Sequence, residues 1–257
     1  HQLVKEKKLK LNFPSDLFIS GNYHKSISEK NFDNFSPIDG KIINQISFAQ
    51  QADIDKAVSS ARQVFEKGHW SNMPPGQRKK ILLKFAQLIE RDRLELSLLD
   101  TIDMGKTIND TYNADLPTSI DNIEWYAEII DKLFDDISPS SKEYMGLITK
   151  EPIGVVAAIV PWNYPLWMAI WKIAPALITG NSVILKPAEQ SPMSAIKIGS
   201  LLAEAGLPDG VFSVLPGDGP ITGKQLCLHN DIDCVAFTGS GEVGKLVLQY
   251  SGQSNMK

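Results

Sequence analysis

The sequence predicts an α/β protein built on an open, doubly wound parallel sheet, with helices ahead of it in the chain and a small β arm between the two. Three observations carry this. From residue 151 onward apolar runs alternate with helical patterns, the mark of βαβ units around a buried parallel sheet. Two of the runs, residues 153–160 and 182–185, empty abruptly into polar segments, Pro161-Trp162-Asn163-Tyr164-Pro165 and Lys186-Pro187-Ala188-Glu189, as strands do where they border a ligand crevice. Upstream, apolar residues recur at three- and four-residue spacing, which is helical.

Taken in order, residues 1 to 52 read as extended and turn-rich, and the Lys-rich start, residues 5–10, as a solvated tail. Leu17-Phe18-Ile19-Ser20-Gly21 and residues 41–48 suggest short strands, parted by the turn signal Ser36-Pro37-Ile38-Asp39-Gly40. A first helix carries Ile54, Ala57, Val58, Ala61, Val64 and Phe65 on one face, with Asp53 as N-cap and Gly68 past its end. A second starts near Pro75, with Ile81, Leu82, Phe85, Leu88 and Ile89 apolar, and resumes through Leu94 to Met104 before Gly105 stops it. A third is expected over residues 112–133. Residues 135–150 turn short, polar and extended, and read as a hairpin or subunit-contact arm. The expected division is therefore one discontinuous unit, residues 1–134 with 151–257, interrupted by that arm.

Beyond residue 151 four strands are expected, at 153–160, 182–185, 211–215 and 234–237. Ser191 is placed to cap a helix that begins at Pro192 and ends before Gly206-Leu207-Pro208. A last helix is expected over residues 242–251.

The composition limits the function classes. With 257 residues, 43% hydrophobic, the chain can bury a sizeable core. Its net charge of -4 offers no general attraction to nucleic acid or anionic membrane, and no basic cluster is interleaved with aromatics. No apolar stretch approaches the roughly 20 residues of a membrane span, and no secretory signal opens the chain, so the expected location is cytoplasmic. The two cysteines, Cys227 and Cys234, suggest neither a disulfide framework nor a zinc site. Both read as structural.

Gly239-Ser240-Gly241-Glu242-Val243-Gly244 fits G-x-G-x-x-G after an apolar strand and before a helix, where backbone N–H groups can hold a pyrophosphate. Glycines there could equally mark a tight strand-to-helix turn. Lys186 and Glu189 could clasp a ribose, the carboxylate accepting from two vicinal hydroxyls, or could form a surface ion pair. Asn163 offers an amide donor suited to a developing oxyanion, and an Asn in such a turn also commonly caps it. Trp167 and Trp171 could wall a substrate passage or belong to the core.

Together these segments resemble the NAD(P)-dependent aldehyde dehydrogenase superfamily, in its N-terminal cofactor-binding portion with a Rossmann-like sheet. The residues that carry the resemblance are Pro161-Trp162-Asn163-Tyr164-Pro165-Leu166, Trp171-Lys172, Pro175-Ala176-Leu177, the run from Gly180 through Lys186-Pro187-Ala188-Glu189, Ala205-Gly206-Leu207-Pro208-Asp209-Gly210-Val211 and Ala236-Phe237-Thr238-Gly239-Ser240. The likeness reaches from Leu17 across nearly the whole chain, the Asp103-Met104-Gly105-Lys106 turn included. It implies that Lys186 and Glu189 hold the adenosine ribose, that Gly219, Pro220 and Gly223 border the adenine, and that Gly239 and Ser240 approach the pyrophosphate while Val243 packs near the base. Ile159, Val160, Pro161, Trp162, Ala188, Phe237 and Thr238 complete the implied cofactor site. A carboxylate at the ribose would repel a 2′-phosphate, so NAD is favoured over NADP. Asn163 would donate to the aldehyde oxygen, and Met168 and Trp171 would line the aldehyde tunnel. No metal is implied. Gly241 departs from the Thr that usually follows Gly-Ser in the family.

The resemblance also implies a homo-oligomer in the complete form, with residues 135–150 as its oligomerisation arm. In this family a cysteine attacks the aldehyde, hydride passes to the nicotinamide, and a glutamate in a Glu-Leu-Gly-Gly segment activates water. Both residues are expected beyond Lys257, so the chain by itself is expected not to oxidise aldehydes. Among subfamilies, residues 125–132 and 229–233 look most like the bacterial γ-glutamyl-γ-aminobutyraldehyde dehydrogenases. The alternative reading is a non-catalytic nucleotide-binding or subunit-interaction module.

Overall fold

The computed structural model describes residues 11–255. The basic start, residues 5–10, and the closing Met256-Lys257 lie outside the described residues. Strands β1 (Leu17–Ile19) and β2 (Asn22–His24) are followed by the hairpin of β3 (Asn31–Phe35) and β4 (Ile42–Ser47). Three helices come next, α1 (Gln51–Glu66), α2 (Pro75–Arg91) and α3 (Arg93–Met104). Gly105 ends α3 at φ 74°, the left-handed C-cap expected of it.

The helix expected over residues 112–133 is divided. A π-helical turn, Thr111–Asp115, leads into α4 (Leu116–Ile129), and a tighter turn, Ile130–Lys132, follows it. Pro117 follows the π-helical turn and has no N–H to return to it; the Tyr112 carbonyl in that turn accepts instead from the Arg93 guanidinium, at 2.9 and 2.6 Å. Strands β5 (Asp136–Ser138) and β6 (Gly146–Ile148) then pair as a separate antiparallel hairpin, with Ile137, Leu147 and Ile148 exposed.

The second half alternates as expected: β7 (Val155–Ile159), α5 (Pro165–Ile178), β8 (Ser182–Lys186), α6 (Met193–Ala205), β9 (Phe212–Val214), the short α7 (Lys224–Leu228), β10 (Cys234–Phe237) and α8 (Gly241–Ser251). Four strands are parallel neighbours in the order β10-β7-β8-β9. The sequence did not place β1 and β2 in this sheet. They extend it beyond β9 as antiparallel strands, joined through Phe18 opposite Val214.

Alternation along the strands sorts the core into two layers. Val156, Ala158, Val183, Leu185, Phe212 and Val214 face α2 to α6, whereas Val155, Ala157, Ile184 and Leu215 face α1 and α7. Burial on both faces explains why these strands read as continuous apolar runs. Charged side chains tie the layers at chosen points. Arg62 of α1 pairs with Asp233, whose Oδ2 also accepts from the Val155 N–H at 2.8 Å. Buried Trp70 and Arg78 donate to the carbonyls of Leu177 and Ile178 at the end of α5, at 2.9 and 2.8 Å, satisfying groups that a helix terminus leaves open.

Two expected caps are corrected. Asp53 is not the N-cap of α1 but its third residue. The N-cap is Gln50, whose N–H donates to Asp53 Oδ2 at 2.9 Å, while Ser26 Oγ and the Ile27 N–H fill the rest of that buried carboxylate. Ser191 does not cap α6, which begins at Met193 with Pro192 as N-cap. Its hydroxyl donates instead to the Trp162 carbonyl at 3.1 Å, and the Met193 N–H is accepted by Asp103 Oδ2 at 2.8 Å. The first is a local capping box between Gln50 and Asp53, whereas the acceptor at the start of α6, Asp103, comes from distant sequence, which local pattern cannot show.

Candidate functional site

From β7 the chain moves one way across the sheet, through β8 to β9, and then returns to lay β10 on the other side of β7. That reversal is a topological switch point, where diverging crossovers open a crevice outside the strand ends. The last residues of the two strands flanking it, Ile159 and Phe237, stand opposite each other in register. Beyond them lies a cleft of about 340 Å³, lined by Ile159, Gly219, Pro220, Gly223, Phe237 and Val243, together with Lys224, Cys227, Leu246, Val247 and Tyr250. The size falls within the range of small-molecule pockets, and the lining is mainly apolar, as suits a flat organic ring.

Lys224, Cys227, Leu246, Val247 and Tyr250 were not identified from sequence. For α8 a signal existed, since Leu246, Val247 and Tyr250 follow Val243 by three, four and seven positions and so share one helix face.

The loop from β10 into α8 is fixed locally. The Thr238 N–H donates to the Ile159 carbonyl at 3.0 Å, and Ser240 is the N-cap of α8, its hydroxyl accepting from the Val243 N–H at 3.3 Å. A Cβ on Gly239 would lie 2.5 Å from the Phe237 ring. Glycine lets the Phe237 ring lie close against the backbone there, and its φ is not left-handed. Around Gly241 nothing lies within 4 Å of a Cβ position, so its departure from the family's Thr is sterically free.

At the end of β8, Lys186 is 3% exposed and its Nζ lies 3.2 Å from Oε2 of the half-exposed Glu189. Burial lowers the Lys186 pKa, and the facing Glu189 carboxylate opposes that. An ammonium has three donors, and among the described residues only Glu189 takes one. Ala188 is buried beneath this loop. Val160 is also buried, and its N–H donates to the Lys186 carbonyl at 3.2 Å, which holds the ends of β7 and β8 side by side.

Pro161 follows half-buried, while Trp162 and Asn163 are exposed. The Asn163 amide makes no hydrogen bond to another described residue, so it is free to donate outward. On α5, Met168 is buried and Trp171 is 45% exposed at the end of an edge-to-face ladder, Tyr164–Trp167–Trp171, with ring centroids 5.2 and 5.6 Å apart. The ladder fixes the rings without a polar partner. Lys106, paired with buried Asp115 at 2.6 Å, also sits 3.9 Å from the Tyr164 ring centroid, so a cation–π contact braces the turn.

Burial pushes the Cys227 thiol up to about 11 and also raises that of Cys234, where Asp233 adds repulsion. Neither thiol is poised as a nucleophile. Among the described residues no group of three His, Cys, Asp or Glu side chains could hold a metal ion, and no helix is long and apolar enough to cross a membrane.

A family model for the aldehyde dehydrogenase family matches residues 23–257. The chain belongs to the aldehyde dehydrogenase family. Among aldehyde dehydrogenases, the NADP/NAD-dependent aldehyde dehydrogenase PuuC of Escherichia coli is 46% identical over 98% of this chain and 51% of its own length. The crystal structure of γ-glutamyl-γ-aminobutyraldehyde dehydrogenase from Burkholderia cenocepacia superposes with a TM-score of 0.96, at 46% identity, over 99% of this chain and 51% of that one. An indole-3-acetaldehyde dehydrogenase in complex with NAD+ gives a TM-score of 0.95 at 47% identity, over 98% of this chain and 51% of that one. This chain thus spans about half the length of the relatives it matches. Its α/β architecture is that of the Rossmann-like N-terminal portion of these enzymes.

Proposed function

We propose that this chain is the dinucleotide-binding portion of an aldehyde dehydrogenase that converts an aldehyde to a carboxylic acid. The observation that supports this reading most is the position of the cleft, at the switch point between β7 and β10, with Lys186 and Glu189 at the end of the neighbouring strand. Within this reading the base enters between Gly219, Pro220, Gly223 and Val243. The pyrophosphate meets the free N–H groups at the start of α8, where Gly239 and Ser240 keep the backbone accessible. Glu189 accepts from the ribose hydroxyls, and one of the unspent Lys186 donors completes the clasp. The fit rests on those unspent donors and on the close approach of the Gly239 backbone to the Phe237 ring that lines the cleft.

A half-exposed carboxylate at the ribose opposes a 2′-phosphate, so the proposal favours NAD over NADP. Bound NAD would supply the hydride acceptor. The residues of this chain bind and orient: Asn163 presents its amide to the aldehyde oxygen as negative charge develops there, and Met168 and Trp171 form an apolar wall for the aldehyde. Attack on the aldehyde is left to a thiol other than Cys227 and Cys234, because both are held protonated by burial. We further propose that the hairpin of residues 135–150, with its exposed Ile137, Leu147 and Ile148, meets a second copy in a homo-oligomer. The location proposed is cytoplasmic.

Calorimetric titration with NAD and NADP tests the reading, with Glu189→Ala as the control. Saturable NAD binding that weakens in the variant supports it. An affinity unchanged by Glu189→Ala removes Glu189 from the site.

A further inference from the structure

The two loops that carry Asn163 and Glu189 leave different strands, yet both are held by one helix that lines neither. Asp100 and Asp103 lie one turn apart near the end of α3, both buried. Asp100 Oδ2 accepts from the Leu166 N–H at the start of α5, at 3.4 Å, and the Ser194 hydroxyl faces the same carboxyl. Asp103 Oδ2 accepts from the Met193 N–H at the start of α6, at 2.8 Å, while its Oδ1 accepts from Asn34 Nδ2, also at 2.8 Å. Each carboxyl thus satisfies the first free donor of a different helix. Ser191, 1% exposed, joins the two loops directly through its bond to the Trp162 carbonyl.

We propose that Asp100, Asp103 and Ser191 are positioning residues that couple the Asn163 turn to the Lys186–Glu189 loop, so that the two cannot shift independently. None of the three would touch a ligand. They act by fixing where each loop enters its helix, and buried side-chain bonds to backbone suit this because leaving one unmade is costly. The inference rests on the dinucleotide reading only for its effect on affinity, since the coupling itself is a property of the chain alone.

Amide hydrogen exchange and NAD calorimetry on the folded chain test it together, in Asp100→Ala, Asp103→Ala, Asp103→Asn, Ser191→Ala and Ser191→Thr. Asp103→Ala is expected to speed exchange at residues 188–193 and also at Trp162 and Asn163, the second effect disappearing when Ser191→Ala is added. Asp100→Ala is expected to speed exchange from Trp162 to Leu166 and to reach the other loop by the same route. The Asp103→Ala and Ser191→Ala variants are each expected to weaken NAD binding about fivefold, as loss of one buried hydrogen bond would. Asp103→Asn keeps an acceptor for the Met193 N–H but sets an amide donor against Asn34 Nδ2, and is expected to restore affinity in part, while Ser191→Thr keeps a donor and is expected to restore it. Exchange changes confined to the loop nearest each substitution would overturn the coupling. So would Asn or Thr variants no better than Ala. Ser191→Ala removes a single hydroxyl and keeps the test open if the Asp103 variant does not fold. Should the unaltered chain fail to bind NAD, the dinucleotide reading fails, and exchange still decides the coupling.

Discussion

Nζ of Lys186 and Oε2 of Glu189 lie 3.2 Å apart, a buried ammonium against a half-exposed carboxylate at the end of one strand. The pair is asymmetric. The ammonium has left water and relies on the carboxylate, whereas the carboxylate keeps a face for another partner. An ion pair and a ribose clasp are therefore not competing descriptions of these residues, because a carboxylate has acceptor sites for both.

Glu189→Ala is expected to lower NAD affinity about tenfold or more, the loss of a hydrogen bond to a charged group. Glu189→Gln is expected to lose less for NAD and to raise the NADP to NAD affinity ratio, since it removes the charge and keeps an acceptor. Parallel titrations with both nucleotides read this out, and a ratio unmoved by either variant would exclude Glu189 as the source of selectivity.

Gly239→Ala would set a methyl group 2.5 Å from the Phe237 ring. The ring must swing, and it lines the cleft. The variant is expected to weaken nucleotide binding by more than it lowers thermal stability, and Phe237→Leu is expected to recover part of the lost affinity by making room. Equal affinity in Gly239→Ala and the parent chain would show that the turn has slack.

Burial raises the carboxyls of Asp100 and Asp103 to about 7 each, Asp103 adding repulsion at Asp100. Their ordinary value, 3.8, applies in the unfolded chain. Between the two values the folded state binds more protons, so this contribution to stability is full below the unfolded pKa and is lost as pH rises through the folded pKa. Melting temperatures measured from pH 4 to pH 8 should show Asp100→Asn and Asp103→Asn flattening that decline relative to the parent chain. A profile of the same slope in both variants would mean that these carboxyls titrate normally.

Cys227 and Cys234 are expected to react with a thiol reagent at neutral pH far more slowly than a free thiol, Cys227 the slower, and at the full rate once the chain is denatured. Fast labelling of the native chain at Cys227 would contradict its burial, and at Cys234 the partial desolvation of its thiol. Substituting Cys234 by Ser is expected to leave NAD affinity unchanged, because this thiol lines no part of the cleft.

Much of this could be read from the chain in one dimension. Strand and helix alternation from Val155 to Phe237, the polar stops after Ile159 and Lys186, and the glycine and proline punctuation of the helices are local effects of side-chain period and backbone freedom, and they put Asn163, Lys186, Glu189 and Gly239 at strand ends. The floor and walls of the cleft were less legible. Cys227 and Tyr250 meet there only because α7 and α8 are neighbours in space, and neither residue type announces a pocket.

Sequence by itself determined the strand and helix alternation after residue 151 and the course of most helices before it, and which polar residues stand where those strands stop, because periodicity and turn chemistry act over a few neighbouring residues. Only the tertiary structure decided that β10 returns to the far side of β7, that β1 and β2 extend the sheet, and that Asp103 and Ser191 serve elements far along the chain from their own. The physical reason is that buried backbone donors must be satisfied by whatever acceptor the packing brings near, and distance along the sequence does not enter that requirement.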